Sequence, residues 1–155
     1  MYSGMTPVAL NGPQYGDSML CGACIEGRGE GVGSGTTPID YEFKGYVSDK
    51  CPECSEGDLD FAMVGDGRWD ITWKFVPCPG SSDSPTFLFE GSHQYYWKMQ
   101  PRGTGTPVKE LSVNGRSGVR TDDNFFEIKD VLFSGPQAVE TTTILGAKVT
   151  QEITL

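Results

Sequence analysis

Residues 45–61 read GYVSDKCPECSEGDLDF, with Asp49 and Asp60 eleven residues apart around the pair Cys51 and Cys54. Three arrangements compete for this stretch. Cys21-x2-Cys24 together with Cys51-x2-Cys54 matches the ligand count of a four-thiolate zinc site. The gap between the two pairs is longer than the roughly 15–20 residues of a common zinc ribbon, and no Lys/Arg-rich segment accompanies it. Alternatively, the two aspartates are a general acid/base pair facing one groove, since CPEC can fold the loop back between them and their spacing would set the stereochemical route. In the third arrangement the cysteines form a disulfide that pins a groove-shaping loop. The aspartates then need do no more than accept hydrogen bonds from turn amides. In an acidic, turn-rich chain with a fifth cysteine at Cys78, disulfides are favoured over zinc.

Charge and composition narrow the partner classes. The 155 residues carry a formal charge of −9, divided as twelve acidic against five basic residues over 1–79 and nine against seven over 80–155, or −7 and −2. Such a surface repels nucleic-acid phosphates, anionic membranes and de-esterified pectin. A neutral partner is favoured, and no cofactor or metal is expected. Twenty-one Gly and ten Pro, with no sustained helical period, describe short strands joined by turns. No hydrophobic run approaches the roughly 18 residues of a membrane span. MYSGMTPVALNGPQYG at the start lacks a basic n-region and an apolar h-region. A secretion signal is therefore expected to have been removed or to lie outside this stretch. Five cysteines point to an oxidising compartment and leave one thiol over.

PCPGSSDSPTF at 77–87 cannot hold a regular element and marks a seam, which predicts domains at 1–79 and 80–155. Before it, CGACIEGRG, IDYEFKGYVSD and WDITWKFV read as strands, the last with Trp69, Ile71, Trp73 and Phe75 alternating with polar residues. The glycine-rich EGRGEGVGSG at 26–35 has no Lys after Gly and no following helix, so it predicts a hairpin loop and not a phosphate cradle. After the seam, TFLFEGS, QYYWKMQ, VKELSVNG, NFFEIKDVLF, AVETTTILG and AKVTQEITL are strand candidates at the even spacing of a β-sandwich. VNGRSG at 113–118 is a hairpin signal, and TILGAKVTQ at 143–151 a weaker one. Tyr95, Tyr96 and Trp97 are candidates for stacking on sugar faces, although strand alternation sends one of them into the core. His93, the only histidine, has no acidic or cysteine cluster around it and reads as a loop residue.

CGACIEG, GYVSDKCPECSEGDLDF and GRWDITWKFVPC together resemble the six-stranded double-psi β-barrel of expansins and expansin-like proteins, including the fungal loosenins. FLFEGSHQYYWKMQ through VETTTILGAKVTQEI is similar to the expansin carbohydrate-binding sandwich. The fold expected is all-β: a partial double-psi barrel followed by an immunoglobulin-like β-sandwich. The resemblance implies a secreted, monomeric wall protein that binds cellulose, mixed glucan or chitin and loosens noncovalent contacts without hydrolysis. It implies that Asp60 acts on the glycan, as the residue matching the general acid of related hydrolases, and that Asp49 supports the groove. A lone acid has no base with which to activate water. It also implies the pairs Cys24–Cys78 and Cys51–Cys54, with Cys21 left free because its usual upstream partner is absent.

Departures from the family pattern set further expectations. A first strand carrying a groove threonine and tyrosine, and a last strand after the ITL segment, are not found, so the chain is expected to be truncated at both ends. AMVGDG replaces a short helix after Asp60, and Asp123 stands where a third platform aromatic is usual. The competing functions are a weak endoglucanase using Asp49 and Asp60, and a purely structural carbohydrate-binding wall protein.

Overall fold

A computed structural model of the chain describes residues 3–82 and 84–155. Among the described residues it holds thirteen strands and one short helix, divided into two units. One contains the chain up to Gly16 and Leu20–Pro79; the other contains Gly80–Leu155 with Asp17–Met19.

The first unit comprises β1 (Thr6–Asn11), α1 (Gly12–Tyr15), β2 (Cys24–Gly35), β3 (Glu42–Cys51), β4 (Leu59–Phe61) and β5 (Gly67–Val76). Its five strands form one sheet in the order β4-β1-β3-β2-β5. β1 runs parallel to β3 and antiparallel to β4, so strands distant in sequence meet across it. TPVALN is absent from the expected strands because Pro7 lowers its strand signal. It forms one because Val8 and Leu10 are fully buried and Pro7 needs only its carbonyl, which accepts the Ala62 N–H at 3.0 Å. Cys24 and Cys78 are joined, tying the start of β2 to the segment after β5 across 54 residues of chain. Closing a loop of that length contributes on the order of 4 kcal/mol in the chain-entropy picture.

The glycine-rich stretch is not a hairpin loop, which corrects the sequence expectation. β2 continues through it to Gly35, pairing with β5 on both sides of an irregularity between Gly29 and Gly33. Glycine is required there by close approach of neighbouring backbone. A Cβ on Gly29 would sit 2.1 Å from the Ile39 carbonyl oxygen, and one on Gly33, at φ +149°, 2.1 Å from that of Arg68.

The second unit comprises β6 (Thr86–Phe89), β7 (Tyr96–Arg102), β8 (Val108–Val113), β9 (Arg116–Ser117), β10 (Val119–Arg120), β11 (Phe126–Lys129), β12 (Gln137–Thr143) and β13 (Lys148–Ile153). Two four-stranded sheets form, ordered β10-β11-β7-β6 and β13-β12-β8-β9. Trp97, Met99, Phe126 and Ile128 from the first pack with Leu111, Val113 and Val139 from the second, which makes a sandwich core. Asn114 and Gly115, at φ 49° and 77°, turn the chain between β8 and β9 as an Asn-Gly hairpin requires. The Gly29 geometry predicts that Gly29→Ala destabilises the first unit by roughly 1–3 kcal/mol through overpacking. Urea unfolding followed by tryptophan fluorescence measures this, with the uncrowded Gly12→Ala as control.

Candidate functional site

Ala9 is the partner of Asp49 on one side and of Asp60 on the other. Residues in register share a face of a sheet, so the two carboxylates and the alanine methyl form one row across β3, β1 and β4. The row depends on an irregularity. Val8 pairs with Val47, but Ala9 pairs with Asp49, leaving Ser48 as an extra residue in β3. Its hydroxyl donates to the Val8 carbonyl at 3.3 Å. With that bulge, Val47 points inward and is 1% exposed, while Asp49 emerges on the outer face.

Two strand spacings separate the aspartates, roughly 10 Å between their backbones. As a backbone spacing this is nearer the approximately 6.5–9.5 Å between the carboxyls of an inverting glycosidase than the 5–5.5 Å of a retaining one. Asp49 accepts the Lys50 N–H at 2.8 Å, whereas the Asp60 carboxylate has no hydrogen bond or ion pair among the described residues. Both side chains are exposed. The face continues along β3 past Tyr46 to Lys44 and Glu42, where Glu26, Arg28, Thr72 and Lys74 complete a hollow of about 660 Å³. Lys74 and Glu26 pair there at 3.1 Å.

The loop leading into Asp60 is held from three directions. Cys51 is bonded to Cys54. Asn11, fully buried at the end of β1, donates to Gln14 Oε1 at 2.6 Å and to the Asp58 carbonyl at 3.1 Å, and accepts the Gln14 N–H at 3.1 Å. Gln14 Oε1 also accepts the Gly57 N–H at 3.2 Å, and Trp73 Nε1 donates to the Gly57 carbonyl at 2.7 Å. Sequence reading missed Asn11, Gln14 and Tyr15. Tyr15 lies beside Cys21 and Asp49: burial, and then these neighbours, push its phenol above the usual range. Cys21 carries a free thiol. With the other four cysteines in disulfides, no four-thiolate zinc site forms, and no metal-holding cluster occurs among the described residues.

In the second unit the three adjacent aromatics separate. Trp97 is 1% exposed, stacked 4.4 Å from Phe133 and edge-on to Phe89 at 5.4 Å, so it belongs to the core. That removes it from the glycan-stacking candidates, because alternation along β7 turns it inward. Tyr95 is 54% exposed in the turn before β7, next to the exposed His93. Tyr96 faces outward, and its hydroxyl donates to Glu127 Oε1 at 2.7 Å. Asp123 does not stand free either: its carboxylate binds Lys98 Nζ at 2.7 Å and accepts the Thr121 hydroxyl.

No sequence-family profile and no curated protein matches the chain. Solved structures similar to it include those of the Clavibacter michiganensis expansin in its apo form and as a mutant in complex with cellohexaose. Each aligns with a TM-score of 0.74 and 22% identity over 95% of this chain and 74% of theirs. The chain therefore has an expansin-like, all-β fold.

Two expectations follow for the second unit. Trp97→Ala should cost about 3–5 kcal/mol of stability, a large-to-small core change, while Tyr95→Ala stays within about 0.5 kcal/mol; urea titration distinguishes them. Hydrogen bonds from Lys98 and Thr121 lower the Asp123 pKa, and those from Lys129 and Tyr96 lower that of Glu127. Carboxylates depressed in the folded state stabilise it above their unfolded pKa, and that contribution is lost as pH falls through the folded values. Melting temperature should fall on acidification through the carboxylate range, and less steeply in Lys98→Met.

Proposed function

We propose that the chain is a nonhydrolytic, polysaccharide-binding wall protein of the expansin type, secreted and disulfide-bonded, which loosens contacts among glucan chains. The observation that carries this reading is the Asp49–Ala9–Asp60 row: one carboxylate without a side-chain partner beside a small side chain, with the second carboxylate two strand spacings away and accepting a backbone amide on one oxygen. Asp60 can hydrogen-bond or protonate a glycan oxygen. Cleavage would need Asp49 as the base that activates water, by the inverting route that its spacing from Asp60 fits, and the release of reducing ends tests for it. Tyr95 and Tyr96 offer phenol rings to the apolar faces of pyranose units, a contact worth about 1 kcal/mol each. The cellohexaose bound by the structurally similar expansin mutant supports a linear glucan as ligand, and the formal charge of −9 supports a neutral one.

Binding to amorphous cellulose and release of reducing ends, assayed in one tube, test the proposal. Expected are bound protein, no accumulation of reducing ends, and weakening of wet cellulose sheets that Asp60→Asn abolishes. Sustained release of reducing ends that stops in Asp60→Asn would make the protein an endoglucanase instead. Weakening that survives Asp60→Asn while Tyr95→Ala abolishes binding would leave a plain carbohydrate-binding protein.

A further inference from the structure

We propose that β5 is a docking edge for a second copy of this chain, and that two molecules pair β5 against β5, antiparallel, with Thr72 opposite Thr72 of the second copy. Such a dimer is independent of the glycan reading and differs from the monomer that the family resemblance implies. β5 ends the sheet of the first unit and is bonded to β2 alone. In an antiparallel ladder alternate residues turn both N–H and C=O away from the neighbouring strand. On the free side of β5 these groups have no partner among the described residues. The opposite edge, β4, is only Leu59–Phe61 long, and short strands are one of the usual ways of blunting an edge. β5 runs for ten residues, Gly67–Val76, with no proline.

Its side chains have the composition of a central strand. Trp69, Ile71, Trp73 and Phe75 share one face, and that face carries no charge. No residue of β5 is buried, whereas Val8, Leu10, Ile25, Phe43 and Val47 of β1, β2 and β3 are. Four large apolar groups at the margin of the sheet therefore keep part of their surface in water. Trp73 is already fixed: its Nε1 donates to the Gly57 carbonyl at 2.7 Å and its ring stands edge-on to Phe75 at 5.2 Å. Less ordering is then needed on docking. Arg68, Asp70, Thr72 and Lys74 are exposed on the other face.

Symmetry and charge select the partner and the register. A twofold axis normal to the sheet keeps every side chain on its own face, so the apolar row can meet only the apolar row. With Thr72 at the axis, Trp69 lies opposite Phe75 and Ile71 opposite Trp73. On the other face Asp70 lies opposite Lys74, and symmetry makes each pair twice. Lys74 then stands between Asp70 of the second copy and Glu26 of its own chain, which holds it at 3.1 Å. Sliding by two residues in one direction brings Arg68 opposite Lys74, a like-charge pair that destabilises the ladder. Sliding as far in the other direction leaves Asp70 opposite Val76, with no ion pair.

Sedimentation velocity of the intact protein over micromolar to submillimolar concentrations tests this, repeated with Cys21→Ser so that the free thiol cannot cross-link copies. Expected is a reversible monomer–dimer equilibrium, with amide exchange in β5 slowing as the dimer forms. Asp70→Lys sets like charges opposite each other at both pairs, and so does Lys74→Asp. Each alone should weaken dimerisation about tenfold. Both positions are exposed, so each variant should keep its fold. Mixing the two variants restores both opposite-charge pairs and should recover a heterodimer, a result that misfolding of either variant would not give. A protein that stays monomeric throughout, a dimer that both single variants leave intact, or variants that do not recover on mixing overturns the β5 pairing.

Discussion

Everything proposed for the first unit depends on the position of β1 between β3 and β4. A slip of one residue in either pairing would turn an aspartate to the opposite face, since side-chain direction alternates along a strand. Several contacts hold the register. Val8 and Leu10 are fully buried, so a slip would expose them. Asn11 ends the strand without solvent exposure, and a shift would strand its amide, costing about 1–3 kcal/mol for an unsatisfied buried group. The same side chain caps α1 and holds the Asp58 carbonyl, so strand register and loop position are set together.

The fold was readable wherever alternation was strong. Trp69 to Phe75, Tyr96 to Gln100 and the Asn114-Gly115 turn carry their geometry in neighbouring residues. β1 was not readable, because its partners are remote in sequence and Pro7 argues against a strand. The glycine-rich half of β2 was misread for a related reason. Glycine signals a loop to local rules, but here it permits backbone contact with Ile39 and Arg68 that no local rule contains. At the site, Asp49 and Asp60 stood out through the cysteines between them. Ala9, Ser48 and Asn11 did not, because a small residue, a bulge and a capping amide acquire meaning only once the register is known.

Under the proposed function the two units would meet a glycan by different physics. The first presents an isolated carboxylate beside a small side chain, which leaves room for a sugar oxygen to approach. The second presents Tyr95 exposed in a turn and Tyr96 outward with its hydroxyl on Glu127, so contact there would combine stacking with hydrogen bonding. Trp97 shows how the sheet constrains this surface: it is the largest ring in the QYYWKMQ segment, yet alternation commits it to the core beside Phe133.

The most direct measurement is an amide-resolved NMR titration of the intact protein with cellohexaose. If the β1 register builds the groove, shifts will concentrate at Ala9, Asp49, Asp60 and Tyr15 in the first unit, and Asp60→Asn will abolish them without unfolding the sheet. Shifts that bypass these four residues, or that persist unchanged in Asp60→Asn, would contradict the assignment of the glycan to this row.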